Sequence, residues 1–410
     1  MAILKIGSVD RGKKANISNL LGVLHQAMPN FPESRTKFRE SNRWYDVNEL
    51  SGNEVEKLQS FLHTAGFMPL NAPTGIFDYV TLSATRLFQE YVRTINGDAS
   101  IGKPDGVVGP KTWSFINAWP AGKVCEWWAA ASQPASQEHS TWIGVLNKVK
   151  QHHLTHPHPV IEAVKNYPQK SDTLKIQDWN FDPKEIHFVG IRRDQDSSKD
   201  GGRGSKGGRI NDDIFFLLIN GLVFKFWGST DPSTKKSSSR REAFLVEGQH
   251  IYRYGWHMIS NAKKTYKALR PATNGVLVFR DQDRDKKLSD ADIAKGLDKP
   301  NPTINIHWSG MGSANRSTWS AGCQVIVGDS YVNNLNQVVD CKAFAGYNYD
   351  SLAQGKTRGA YNFLLDLVLA YAPVGKQTLL YTLGRDDALD LFRGEGQGRV
   401  YADALLKSMQ

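Results

Sequence analysis

Two side chains have the types and the order that nucleophilic chemistry needs, His307 and Cys323, sixteen positions apart. The run Thr303-Ile304-Asn305-Ile306-His307-Trp308-Ser309-Gly310 alternates apolar and polar residues, as a half-buried strand does, and delivers the imidazole at its end. A loop of small and polar residues follows. Ser320-Ala321-Gly322-Cys323 then leads into a second apolar run, Gln324-Val325-Ile326. Neighbouring strand ends would thus carry a thiol and a base, with small residues that expose backbone N–H groups to an oxyanion. No histidine follows His307, so a cysteine enzyme here must place its base before its nucleophile. The alternative for each residue alone is structural, since free cysteine is mostly buried and inert.

The ordered pair resembles the L,D-transpeptidase family of peptidoglycan enzymes, whose signature is a histidine followed by a Ser-His-Gly-Cys run. His307 matches the first histidine, and Ser320, Gly322 and Cys323 match the run. Ala321 replaces the usual second histidine, and Gln324 stands near the usual Arg or Asn. The resemblance implies that His307 takes the proton of Cys323, and that the sulfur attacks the carbonyl of the third, L-centred residue of a tetrapeptide stem. Terminal D-alanine leaves, and water or an amine resolves the thioester. It also implies an oxyanion site at the N–H groups of Gly322 and Cys323. Ser320 belongs to the same frame, and Ser309 or a backbone carbonyl would orient His307. Trp308 and Trp319 are candidates to narrow the acceptor channel. Tyr254 and His257, at the end of the strand Arg253-Tyr254-Gly255-Trp256-His257, are candidate substrate contacts.

A repeat organises the front of the chain. Gly75-Ile76-Phe77-Asp78-Tyr79-Val80-Thr81 is echoed by Gly106-Val107-Val108-Gly109-Pro110-Lys111-Thr112, each a tight turn, two apolar plugs and a helix start. Ser51-Gly52-Asn53-Glu54 reads as a capping box before a helix with Val55, Leu58, Phe61 and Leu62 on one face, stopped at Gly66. Val80, Ala84, Leu87, Phe88 and Tyr91 form a second stripe. With Leu58-Gln59, Phe88-Gln89 and the run Asp105 to Trp113, this block resembles the three-helix peptidoglycan-binding domain, which binds stem peptides or glycan.

The fold expected is multidomain α+β. It comprises an N-terminal extension of unknown role (1–48), a small three-helix binding domain (49–120), a linker and helical connector (121–181), and a mainly β, L,D-transpeptidase-like catalytic domain with C-terminal helices (182–410). The extension includes a helix over Asn19 to Ala27. The connector includes a linker at Ala131–Gln137 and a helix over Trp142–Gln151. Strands are expected at Ile186–Ile191, Ile214–Ile219, Leu222–Phe226, Ala243–Val246, Gly275–Phe279 and Thr378–Leu383, with an Asn220-Gly221 hairpin. Helices are expected at Tyr361–Tyr371 and Asp387–Phe392.

Other motifs carry weaker chemistry. Asp281, Asp283, Asp285 and Asp292 occupy positions one, three, five and twelve of a calcium-loop pattern. Lys286 stands where the loop needs glycine and Asp292 where it needs glutamate, so a solvated acidic turn competes with calcium. The cysteine chemistry requires no cofactor. His152-His153-Leu154-Thr155-His156-Pro157-His158 reads as a loop rather than a metal site. Zinc on His257, His307 and Cys323 lacks a metallopeptidase spacing. Gly202, Gly204 and Gly207 satisfy GxGxxG, but a strand follows where a nucleotide fold requires a helix.

The net charge of +10 favours an acidic partner. Peptidoglycan is favoured over nucleic acid, because Lys235-Lys236-Ser237-Ser238-Ser239-Arg240-Arg241 lies in a Ser-rich loop without interleaved aromatics. No apolar run could span a bilayer. Three cysteines suit free thiols rather than a disulfide framework. The N-terminus lacks the pattern of a secretory signal. The expectation is therefore synthesis in the cytoplasm and action at the periplasm or wall after delivery by a phage lysin (holin) route, a type VI system or another contractile injection device. A non-catalytic wall-binding or structural component of such a device is the alternative, and a basic nucleic-acid binder is the second.

Overall fold

The computed structural model describes residues 2–21, 37–40, 43–192, 213–232, 241–258, 264–284, 288–310, 320–372 and 378–385. The chain begins with β1 (Ser8–Val9), α1 (Ile17–Leu21), β2 (Lys37–Glu40), β3 (Arg43–Asp46), β4 (Asn48–Glu49), α2 (Glu54–Thr64), α3 (Tyr79–Thr94), α4 (Pro110–Asn117) and α5 (Glu126–Ala129). There follow α6 (Gln137–Thr155), α7 (Pro159–Lys165), β5 (His187–Arg192), β6 (Asp213–Ile219), β7 (Leu222–Ser229), β8 (Ala243–Leu245), β9 (Gly248–His257), β10 (Tyr266–Pro271), β11 (Val278–Arg280) and α8 (Asp290–Ala294). The last are β12 (Ile306–Trp308), β13 (Gln324–Val332), β14 (Val338–Asp340), α9 (Tyr349–Ala353), α10 (Ala360–Tyr371) and β15 (Thr378–Arg385). The fold is mixed α+β, and its packing divides into two units. One comprises residues 1–134, 254–268 and 343–377; the other comprises 135–253, 269–342 and 378–410.

In the first unit the two sequence repeats become two copies of one device. Gln59 of α2 accepts the N–H groups of Thr74 and Gly75 and donates to the Ile76 carbonyl and the Thr81 hydroxyl. Gln89 of α3 accepts the Gly106 N–H and donates to the Val107 carbonyl and Thr112 hydroxyl. A glutamine on one helix thus pins the glycine turn that starts the next. Gly106 has φ +77, and a Cβ there would lie 2.3 Å from Leu82 Cδ1, so both backbone and space demand glycine.

The N-terminal residues are built into this device. Leu4 bridges Val108, Val9 bridges Ile76, and β1 pairs with β4. The capping box expected at Ser51 to Glu54 does not form: Asn53 makes no side-chain cap to α2. The Asp10 carboxylate instead accepts the Val55 and Glu56 N–H groups, both at 2.8 Å. A remote anion gives the helix start both its acceptors and its favourable charge. The helix expected over Asn19–Ala27 is described only to Leu21.

The helix expected at Tyr361–Tyr371 is present as α10, but it belongs to the first unit rather than to the β-rich one. All twelve of its residues are buried, so it needs cover on every side. Its Asp366 forms a two-pronged ion pair with Arg86 of α3, and Phe363 meets Trp127 edge-on.

The second unit carries a closed eight-stranded barrel in the order β12-β10-β9-β15-β5-β6-β7-β13, shut by β12–β13 pairing, with β14 added beside β13. Most neighbours run antiparallel; β5–β15 and β12–β13 are parallel. Asn220-Gly221 makes the two-residue hairpin, with Ile219 opposite Leu222. Alternate residues face in and out. Phe188, Phe215, Tyr252 and Tyr381 meet inside, while Val189, Ile191, Phe216, Trp227 and Val327 face out to the apolar side of α6, formed by Trp142, Leu146 and Val149. The 131–137 linker ends at Ser136, whose hydroxyl caps α6. His152 and His153 are helical rather than looped, and His158 caps α7. The expected helix at Asp387–Phe392 and the Gly202–Gly207 motif lie outside the described residues.

Two of the buried imidazoles in this unit are held neutral by their surroundings. Among the described residues neither ring nitrogen of His139 in α6 finds a hydrogen-bond partner, and burial with nearby His187 lowers its pKa to about 4. Burial lowers that of His250 to about 3. Each is neutral in the fold and takes up a proton near 6.5 once unfolded. Stability is therefore whole above pH 6.5 and falls as pH drops towards the folded values. For His139 the loss approaches about 3 kcal/mol by pH 4. Denaturant titrations across this window should show it, with a flatter profile for His139→Gln; equal profiles would overturn the assignment.

Candidate active site

Cys323 lies one residue before β13, partly exposed. Ser320 makes the turn that presents it. Its hydroxyl accepts the Gly322 N–H at 3.1 Å and donates to the Cys323 carbonyl at 2.9 Å. Gly322 has φ +144, and a Cβ there would sit 2.5 Å from the Ala243 carbonyl oxygen. Ala243 in turn donates its N–H to the Ala321 carbonyl. The Ser-x-Gly-Cys frame is thus a hydrogen-bonded turn pressed against β8, in which only glycine fits. Gly322→Ala should displace the thiol and reduce any Cys323-dependent turnover about a hundredfold, measured as initial rate at unchanged far-ultraviolet circular dichroism.

Strand register brings the imidazole to the thiol's side of the sheet. Ile306 pairs with Gln324 and His307 with Val325 in the parallel ladder. One step back, Asn305 falls beside Cys323, and the Asn305 N–H donates to Sγ at 3.3 Å. The thiol itself donates to the Thr303 carbonyl at 3.3 Å. Cys323, Asn305, His307 and Val325 consequently share the outer face, with His307 two residues further along. His307 is buried, and its Nδ1 lies 2.8 Å from the Trp308 carbonyl. A carbonyl only accepts, so this contact places the proton on Nδ1 and leaves Nε2 as the basic nitrogen.

The other expected residues divide. A backbone carbonyl, not Ser309, orients His307; the buried Ser309 hydroxyl has no hydrogen-bond partner among the described residues. The Gly322 N–H is engaged by Ser320, so of the two expected oxyanion donors it is already taken. Trp308 pairs with Ile326 on the inner face, opposite to His307, and so does not line the thiol's side. Gln324 also points inward. It accepts from the Tyr381 hydroxyl and donates to the Gly322 and Thr230 carbonyls, making it a brace for the turn. Trp319 lies outside the described residues. Tyr254 and His257 fall in the first unit, Tyr254 buried with its pKa well above the usual phenol and His257 edge-on to Tyr266.

The site also contains residues that linear reading missed. Leu269 pairs with Ile306, which sets Arg270 of β10 beside Asn305. The Ala272 N–H donates to the Ile251 carbonyl, which sets Arg253 of β9 opposite Arg270. Arg253, Arg270, Asn305 and Cys323 thus form one row over four strands. Arg270 is held below the ordinary guanidinium range by burial and by Arg253, and Cys323 acts on it in the opposite sense. The only sequence signal was two arginines on predicted or apolar runs, which does not reveal their pairing.

Asp281, Asp283 and Asp292 bring ligand oxygens within 4.8 Å of one another, the only such group among the described residues; Asp285 lies outside them. That triangle could hold a divalent cation. Asp292 already has structural partners, forming the α8 capping box with Ser289 and accepting the Gln282 N–H. Neither the histidine run nor His257, His307 and Cys323 makes a metal-ligand group among these residues. No described helix is long and apolar enough to cross a membrane. No family model, curated protein or solved structure matches this chain.

Proposed function

We propose that the protein is a cysteine enzyme that modifies peptidoglycan at the L-D bond of tetrapeptide stems, as an L,D-carboxypeptidase, an L,D-transpeptidase or a D-amino-acid exchanger. The observation that carries this reading is the shared outer face of Cys323 and His307 on adjacent strand ends, with Nδ1 of His307 tied down and Nε2 left basic. In this mechanism Nε2 takes the thiol proton as sulfur attacks the carbonyl carbon. The oxyanion collapses, the C–N bond breaks, and the imidazolium returns its proton to the departing amine. Water or an amine, deprotonated by Nε2, then opens the thioester.

The resemblance of the Gln59 and Gln89 repeat block to peptidoglycan-binding domains supports a wall substrate, as does the positive charge. A phage lysin, or an effector delivered by a contractile or type VI device, is the corresponding biological role. The test is mass spectrometry of tetrapeptide muropeptides and sacculi after exposure to the protein and to Cys323→Ala. Loss of one D-alanine, dimer formation and amino-acid exchange leave different masses, and the variant should produce none of them. Identical profiles would leave a wall-binding role at most.

A further inference from the structure

On the reading of Cys323 as nucleophile, we infer that the cross-strand pair Arg253 and Arg270 is a carboxylate-recognition subsite, which selects an acyl donor bearing a carboxylate about one residue away from the attacked carbonyl. Two like charges directly opposite on a sheet repel one another, and an arrangement of that kind is disfavoured unless an anion joins it. The ends of the two strands agree with the register: β9 stops at His257 where β10 starts at Tyr266, and the single bond from Ala272 to Ile251 gives the same pairing. Cross-strand neighbours have Cβ atoms about 5 Å apart, close enough for two guanidinium groups to grip one carboxylate from two sides.

Arg253 is half-buried, and its buried Nε has no hydrogen-bond partner among the described residues. Among the described residues no carboxylate forms an ion pair with it. Arg270 Nη2 donates to the Pro302 carbonyl at 3.5 Å. Its α-carbon lies two strand spacings, about 10 Å, from that of Cys323, and its long side chain shortens the gap. Burial of Arg270, the effect of Arg253 on it and the opposing effect of Cys323 place all three in one electrostatic neighbourhood. Cys125 and Cys341 are both buried, whereas Cys323 is partly exposed.

The chemistry of alkylation tests the subsite without assuming any substrate. Iodoacetate and iodoacetamide react with the same thiolate and differ in one negative charge. Their rate constants at Cys323, followed by peptide mapping of the full chain, should favour iodoacetate about tenfold over the ratio for free cysteine. Arg253→Met and Arg270→Met should each reduce that preference, and the double variant should abolish it, as should high salt. An unaltered ratio in the double variant would overturn the subsite.

Muropeptides then identify the carboxylate. A stem with an amidated C-terminus loses the terminal carboxylate, whereas lysine at the third position in place of a diamino diacid loses the side-chain one. One of the two should lose turnover in the parent and lose nothing further in the double variant. Turnover insensitive to both changes would overturn the inference. Absent turnover with a retained iodoacetate preference would instead sink the peptidoglycan reading and leave the anion subsite standing.

Discussion

Cys323→Ala is expected to abolish release or exchange of terminal D-alanine, by at least about 10³-fold, with little change in folding. The sulfur is partly exposed, and its two hydrogen bonds run to backbone atoms of Thr303 and Asn305, so removing it leaves no large cavity. His307→Asn should lower turnover comparably. In the proposed step base and nucleophile act as a unit, so the double variant should be no worse than the weaker single one. Variants losing rate in simple proportion would mean that the two residues do not share a step. The pH dependence is a second check. Nε2 must be unprotonated to accept the thiol proton, so the acidic limb of kcat/KM should disappear in His307→Asn. Retention of full turnover by Cys323→Ala, with an intact circular dichroism spectrum, would remove the thiol from the mechanism.

The second large effect is on stability. Asp366→Ala is expected to destabilise the first unit by about 3–5 kcal/mol. Arg86 donates from Nε to Asp366 Oδ2 at 2.6 Å and from Nη2 to Oδ1, with Lys267 Nζ 3.9 Å from the same carboxylate. All three side chains are nearly excluded from water. Deleting the anion leaves two buried cations facing each other, which is the costly way to break such a pair. Arg86→Met with Asp366→Leu removes both charges of the pair and should recover much of the loss. Denaturant unfolding, read by amide hydrogen exchange in α3 and α10, separates this unit from the barrel. A single variant within about 0.5 kcal/mol of the parent, the range of ordinary surface substitutions, would show that the pair holds nothing together.

Much of the local structure could be read directly from side-chain periodicity. The alternating run ended in β12, the apolar runs became β5, β6, β7 and β13, and Asn220-Gly221 turned the chain between β6 and β7. These outcomes depend on nearest neighbours, because a two-residue repeat has only one way to bury one face. The repeated turns around Gly75 and Gly106 were legible for the same reason. The helix cap from Asp10 was not: a carboxylate 45 residues from Val55 leaves no local pattern. Nor was the placement of α10, whose partner Arg86 lies 280 positions away.

The order of His307 before Cys323, the glycine beside the sulfur and the types of residue around it were determined by sequence alone. Chain order and side-chain chemistry are properties of the linear polymer, so they need no partner strand. Only tertiary structure decided which face those groups share, that Trp308 and Gln324 turn inward, and that Arg253 and Arg270 stand in the thiol's row. Barrel closure between β12 and β13 sets that register, and a slip of one residue would send each side chain to the other face.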